Sequence, residues 1–342
     1  MPTYAAAPNL SEINSKADRS DWTMRTECPA CAGSGIRHFA EIRHFQYDRC
    51  GDCGFVFANP APSDRASSEF YNSPFYDNYR SLEEETIERQ PYFSISSYTD
   101  PRRLAGWLTC DKSAKILDFG CGPASFIAML RDEFGFQNVE GLELNQRSAD
   151  IAERSYGIKL TPTPEQLKHK GAYDVIILFE VIEHLTDPAG VVSLCRDLLA
   201  PGGQIFITTP SVRNIPGRFF PSHCGHYTGP SHVSLFTEDA MNGLLSRFGF
   251  RISQLETDAA PVLGSALASP LYNLDFTSPR SSTDAADILL TPNAIGRAIG
   301  LKPTRQVKSL PFRVARKAES IVNRFVNGRY SDHLYLLATK EH

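Results

Sequence analysis

The chain has 342 residues, 42% hydrophobic, 11% aromatic and 22% charged, with a formal net charge of -4. This is the composition of an ordinary folded protein, long enough for one sizeable α/β core and an accessory module. No apolar run approaches the roughly 20 residues of a membrane span, and the charge balance offers no global pull toward nucleic acid.

Residues 1–26 read as a mobile polar tail. The opening "MPTYAAAPNLSEINSK" has neither the basic stretch nor the apolar stretch of a secretory signal. A cytoplasmic address follows as the expectation, and with it reduced thiols. Residues 27–64 then carry "CPAC" and "CGDC", which bring Cys28, Cys31, Cys50 and Cys53 together as two C-x2-C knuckles 18 residues apart. That spacing is a zinc ribbon's. Each knuckle sets two thiolates on one turn, and two turns complete a closed tetrahedron, so the metal is structural. Such a ribbon either binds nucleic acid or staples a module too small to hold its own core. Here Arg37, His38, Arg43, His44 and Arg49 are diluted by Glu41, Asp48 and Asp52, which favours the staple or a cap on the substrate side.

Residues 65–110 form an aromatic connecting segment that turns helical in its later part. From Lys115 strands and helices alternate: "KILDF" then "ASFIAMLRDEF", "VEGLEL" then "NQRSADIAERSY", "YDVIILF" then "PAGVVSLCRDLLA", and "PGGQIFITTP" followed by "TEDAMNGLLSRFGF". Alternation of this kind predicts a doubly wound parallel sheet. "YDVIILF" is apolar throughout its second half, as a strand covered on both faces should be. The last strand is "SDHLYLLATK". Before it lies an insertion, residues 258–331, too long for a plain loop. In the insertion Val314, Ala318, Ile321, Val322 and Phe325 line one helix face, and residues 302–329 hold eight basic side chains against Glu319 alone. Such a helix suits a solvated face, a phosphorylated substrate or peripheral contact with an anionic membrane.

The turn after the first core strand reads Asp118-Phe119-Gly120-Cys121-Gly122-Pro123. A dinucleotide fingerprint needs a third glycine where Ser125 stands, and a phosphate loop needs Gly-Lys-Ser/Thr. Asp118 would repel a pyrophosphate, yet it suits the ammonium of an amino acid. Gly120 and Gly122 let the backbone approach a ligand closely. Glu143, at the end of the next strand, is placed to accept ribose hydroxyls.

With "ILDFGCGPASF", "VEGLELN", "YDVIILFEVIEHL", "LLAPGGQIFITTP" and "HVSLFTEDAMNGLLSRFGF" in this order, the chain resembles the class I S-adenosylmethionine-dependent methyltransferases. With the ribbon in front it further resembles bacterial sugar and natural-product methyltransferases, although it lacks the second α/β domain of the sugar C-methyltransferases. The resemblance implies a seven-stranded sheet with its last strand antiparallel, occupying residues 111–342. It implies that S-adenosylmethionine is met by Asp118, Gly120, Cys121, Gly122, Glu143, Leu144, Phe179 and Glu180. Thr163, Glu165 and Gln166 are placed to edge the adenine. Tyr76 and Tyr79 are placed either to close over the cofactor as a lid or to pack the ribbon onto the core.

Methyl transfer asks the protein to position a nucleophile and, for a hydroxyl or an acidic carbon, to remove its proton. His232 and His184 are the candidate bases, with Glu180 beside them. The alternative for His184 is a structural bond to a nearby carbonyl or carboxylate. The loop "FFPSHCGHYTGPSH" gathers His223, Cys224, His226, Tyr227 and His232, but offers no clean metal spacing and no carboxylate. It is expected to line the substrate through His226 and Tyr227. No N-P-P-Y motif follows the fourth strand, which leaves oxygen or carbon as acceptor, on a small molecule such as a nucleotide sugar, glycan or natural-product precursor. The other roles weighed are an RNA methyltransferase that uses the ribbon and an inactive scaffold protein.

Overall fold

The computed structural model describes residues 10–89, 92, 102, 105–167, 173–213, 221–224, 226–258 and 333–341. The insertion beyond Asp258, where a basic helix is expected, lies outside the described residues.

The chain enters through α1 (Leu10–Lys16), which corrects the expectation of a mobile tail for residues 10–26. Asn14 is buried and its side-chain amide donates to Arg43 O and Gly229 O, at 2.9 and 2.8 Å. Trp22 stacks obliquely on Phe45, ring centres 5.4 Å apart. The ribbon follows as β1 (Ile36–Ile42), β2 (Phe45–Cys50) and β3 (Val56–Ala58). Two helices come next, α2 (Asp64–Tyr71), capped by the Ser63 hydroxyl, and α3 (Pro74–Arg89).

The core alternates β4 (Lys115–Phe119), α4 (Ser125–Asp132), β5 (Asn138–Leu142), α5 (Gln146–Tyr156), β6 (Tyr173–Phe179), α6 (Pro188–Leu198) and β7 (Leu199–Pro210). It continues with β8 (Ser234–Leu235), α7 (Glu238–Arg247), β9 (Phe250–Asp258) and β10 (His333–Lys340). Successive strand residues point to opposite faces, and the burial follows that period. Leu117, Ile176, Leu178, Ile205 and Leu336 enter one core, and Ile116, Val175, Ile177, Phe206 and Tyr335 enter the other. Both faces are therefore covered, as a parallel sheet requires.

The strand order is β5-β4-β6-β7-β10-β9. The β5, β4, β6 and β7 pairings are parallel, and β10 runs antiparallel to β7 and β9, as expected of the last strand. Among the described residues the sheet has six strands, not seven. The place of the seventh is a single parallel bridge between Leu142 and Thr161. Thr161 is followed by Pro162 and Pro164, which have no N–H to extend a ladder.

The ribbon sheet has the order β1-β2-β3-β8, so its fourth strand comes from the methyltransferase-like region. Phe55 packs on Phe236 at 4.7 Å between ring centres. Cys28, Cys50, Cys53 and Phe57 share one apolar core with Met241, Leu244 and Leu245 of α7. No helix among the described residues is long and apolar enough to cross a membrane.

Candidate active site

In an open α/β sheet, ligands collect outside the carboxyl ends of the parallel strands. Asp118, Glu143 and Glu180 stand there, at the ends of β4, β5 and β6. Because β10 is antiparallel, its first residue, His333, comes to the same edge, opposite Pro210 of β7.

Asp118 is 1% exposed, and neither carboxylate oxygen has a hydrogen-bond partner. Burial, and then the charge of Glu143, push its carboxyl up to about 7. A buried acid without a partner is costly, and a cationic ammonium is the group that relieves it. The glycine turn is pinned by Gly120 N–H and Cys121 N–H, both donating to Leu142 O at 2.8 and 3.0 Å. Gly120 has φ 75°, and a Cβ there would stand 2.8 Å from the Val181 side chain, so only glycine fits. Cys121 packs against Ala124, Ile127 and Ala152. Glu143 accepts from Gly122 N–H at 2.9 Å and from Asn145 N–H at 2.7 Å. A carboxylate has about four lone-pair sites, so capacity is left for two ribose hydroxyls. Leu144 is 73% exposed beside it, an apolar side chain open to a ligand. These residues fit S-adenosylmethionine: an acid for the ammonium, a backbone cradle and an acid for the ribose. Thr163, Glu165 and Gln166 sit on or beside the turn Pro164–Gln166, none of them buried.

The segment before the core lies over this end of the sheet. Arg80 of α3 is ion-paired with Glu83 and bonded to the Tyr76 hydroxyl, and its guanidinium lies beside Gly122. Asn145 donates to Tyr71 O at 3.1 Å, and Arg147 to the Ser81 hydroxyl at 2.8 Å. Tyr76 thus reaches the cofactor turn through Arg80. The Tyr79 side chain is outside the described residues.

A second group of side chains forms around "FEVIEHL". Phe179 packs on Phe126, ring centres 5.3 Å apart. Glu180 takes φ 53°, a strained backbone for a non-glycine residue, and its N–H donates to the Thr208 hydroxyl at 3.1 Å. One Glu180 oxygen lies 3.4 Å from His333 Nε2 and the other has no partner. Glu183 and His184 sit on a short 3-10 turn, Ile182–His184. Buried Glu183 accepts the Thr209 hydroxyl at 3.0 Å on Oε2, and its Oε1 lies 3.9 Å from His184 Nε2. Burial, and then Glu180's charge, hold Glu183 well above the usual carboxylate range.

His184 and His232 meet edge to face, ring centres 4.9 Å apart. His184 Nδ1 lies 2.9 Å from Ser231 O, and His232 Nδ1 lies 2.9 Å from His226 O. A carbonyl only accepts, so both Nδ1 atoms carry the proton and both Nε2 atoms keep their lone pairs. The ligand atoms of Glu183, His184 and His232 all lie within 4.8 Å of one another. Histidines whose far nitrogens are tied to carbonyls, beside a hydrogen-bonded carboxylate, make the pattern of a metal's supporting shell. The loop itself lacked a carboxylate in sequence; Glu183 supplies it from another segment, and His232 joins that group.

Tyr227 does not face an acceptor. It is 1% exposed, packed on Tyr47 and Phe39 at 5.4 and 5.8 Å. His226 does come to the site, its ring 5.6 Å from that of His333. The residues missed from sequence are Glu183, His333, Arg80, Glu83 and Thr209. The E-x-x-E-H spacing of Glu180, Glu183 and His184 was the available signal.

The four knuckle cysteines come together as well. Cys28 and Cys53 sulfurs are 3.7 Å apart, as are those of Cys31 and Cys50, and all four fall within 4.8 Å. Four sulfurs at the Zn–S distance of a tetrahedral site stand about 3.8 Å apart, so the group fits zinc.

Residues 95–255 match the family model described as "Methyltransferase domain". Two curated relatives are named ubiquinone biosynthesis O-methyltransferase. That of Shewanella pealeana is 33% identical over 104 residues, 28% of this chain and 43% of that protein. That of Cronobacter sakazakii is 34% identical over 104 residues, 28% of this chain and 42% of that protein. The match thus spans less than half the length of either relative. A solved structure, the phosphoethanolamine N-methyltransferase 2 of Haemonchus contortus in complex with S-adenosyl-L-methionine, shares the fold. Its TM-score is 0.52 at 15% identity, over 84% of this chain and 64% of that one. Residues 95–255, just under half of the chain, thus match a methyltransferase domain, and the sheet shares the fold of a methyltransferase solved with S-adenosyl-L-methionine.

Proposed function

We propose that this chain transfers the methyl group of S-adenosylmethionine to a hydroxyl oxygen of a small molecule, with a divalent cation held by Glu183, His184 and His232 on the acceptor side. The observation that carries the reading is the tied pair of histidines, both presenting Nε2 beside a buried carboxylate. The name O-methyltransferase borne by the curated relatives supports oxygen as the acceptor. A hydroxyl-rich acceptor, such as a sugar, glycan or natural-product precursor, suits a wall built from Glu180, His226 and His333.

When bound, S-adenosylmethionine supplies a methyl carbon already activated by its sulfonium. Asp118 accepts from its ammonium, Glu143 from its ribose, and the turn at Gly120–Gly122 brings the backbone close. A divalent cation supplies a Lewis acid that lowers the pKa of an acceptor hydroxyl. Glu180, with one oxygen unpartnered and the other beside His333, takes the hydroxyl proton. His184 and His232 then serve as ligands, with their Nδ1 protons committed to carbonyls, and not as the bases expected from sequence.

Titration of the full, zinc-loaded chain with Mn2+, followed by the loss of the free-ion paramagnetic signal, tests this reading. One site is expected, weakened roughly 100-fold or more in Glu183→Gln and in His184→Ala. Absence of that site in the intact chain, or equal binding by the variants, contradicts it.

A further inference from the structure

Among the described residues, the ribbon is hydrogen-bonded to the segment 229–237 at three places. Tyr47 of β2 is fully buried. Its hydroxyl donates to His232 O at 2.9 Å and accepts from Gly229 N–H at 2.8 Å. One phenol therefore holds both ends of the turn that delivers His232. Two residues further on, β8 pairs with β3, Phe57 opposite Ser234 and Val56 opposite Leu235, and Ala58 N–H donates to Val233 O at 2.9 Å. Beyond that, the Thr237 hydroxyl donates to Cys53 O at 2.7 Å. None of these bonds closes a zinc knuckle. All of them land on the segment that carries His232.

The strand that bears Tyr47 ends in Cys50, a zinc-site thiol. A Phe at residue 47 would fill the same space, yet it would leave a buried N–H and a carbonyl without partners. Buried groups left without partners are costly enough to release a short turn without unfolding a sheet.

We infer that Tyr47 is a positioning residue for His232, and that the zinc ribbon is thereby the rear wall of the acceptor site. This deepens the function proposed above and rests on its assignment of His232 to the acceptor side.

The test uses the full, zinc-loaded chain with 15N-labelled histidine. Two-bond 1H–15N correlations read the ring tautomers, and the His232 signals are those lost in His232→Gln. In the native chain His232 shows one tautomer, protonated on Nδ1. In Tyr47→Phe the proposal expects a mixture of tautomers at His232, with zinc content unchanged and S-adenosylhomocysteine affinity within about threefold. Mn2+ affinity in the same variant is expected to fall roughly tenfold. Unchanged His232 signals in Tyr47→Phe overturn the inference. So does loss of S-adenosylhomocysteine binding together with the His232 change, because Tyr47 would then hold the whole fold and not this turn. If the native chain takes no Mn2+, the cation reading fails by itself, and the histidine tautomer still decides the role of Tyr47.

Discussion

Asp118→Asn should weaken S-adenosylhomocysteine binding roughly 10- to 100-fold, the scale of a charge-assisted hydrogen bond, while making the ligand-free protein more stable. The two effects have one cause. Asp118 is buried without a partner, and its carboxyl is pushed up to about 7 from 3.8. A group with a raised folded pKa contributes stability that is fully present below pH 3.8 and is lost as pH rises through 7. At pH 8 the ligand-free protein thus carries an ionised, unpaired carboxylate at a cost on the order of 4 kcal/mol. Asn at that position removes the penalty. Thermal melts of the two proteins across pH 4–9 should diverge between about pH 4 and 7, with the variant higher, and run parallel above. Ligand binding by the native chain should tighten over the same window, and that dependence should vanish in the variant. Coincident melting curves would mean that Asp118 finds a partner in the empty site.

The second large effect concerns the ribbon. Cys50→Ser should lower stability by on the order of 5 kcal/mol, the size of a lost structural metal. The damage should spread beyond the ribbon, because Cys28, Cys50, Cys53, Phe55 and Phe57 share a core with Phe236, Met241 and Leu244. Arg247 of α7 also donates to Pro29 O at 3.1 Å. Zinc content and a thermal melt read this directly. A native-like melt with no zinc bound would show that the thiols need no metal to hold the module.

The legible parts of this chain were the local ones. Both knuckles and the turn from Asp118 to Gly122 are short segments whose residue types state their own geometry, and continuous apolar runs state which strands are covered on two faces. What escaped was long-range. Asn14 is fixed by carbonyls 29 and 215 residues away, so its helix read as a tail. The expected seventh strand shrinks to a single bridge at Thr161, because the two prolines after it remove the donors. Glu183 was not singled out in sequence, and only a 3-10 turn and the Thr209 hydroxyl hold it buried beside His184. His333 was read only as part of the last strand, and only the antiparallel placement of β10 brings it to Glu180. Tyr227 lost its expected role for a similar reason, since Tyr47 and Phe39 from the ribbon close over it.

The central claim is that the Asp118–Glu143 end of the sheet binds the methyl donor. Calorimetric titration of the full, zinc-loaded chain with S-adenosylhomocysteine tests it most directly. One site of micromolar affinity, lost in Glu143→Ala with the fold intact, is the predicted result. A folded, zinc-loaded chain that takes up no S-adenosylhomocysteine would contradict the account.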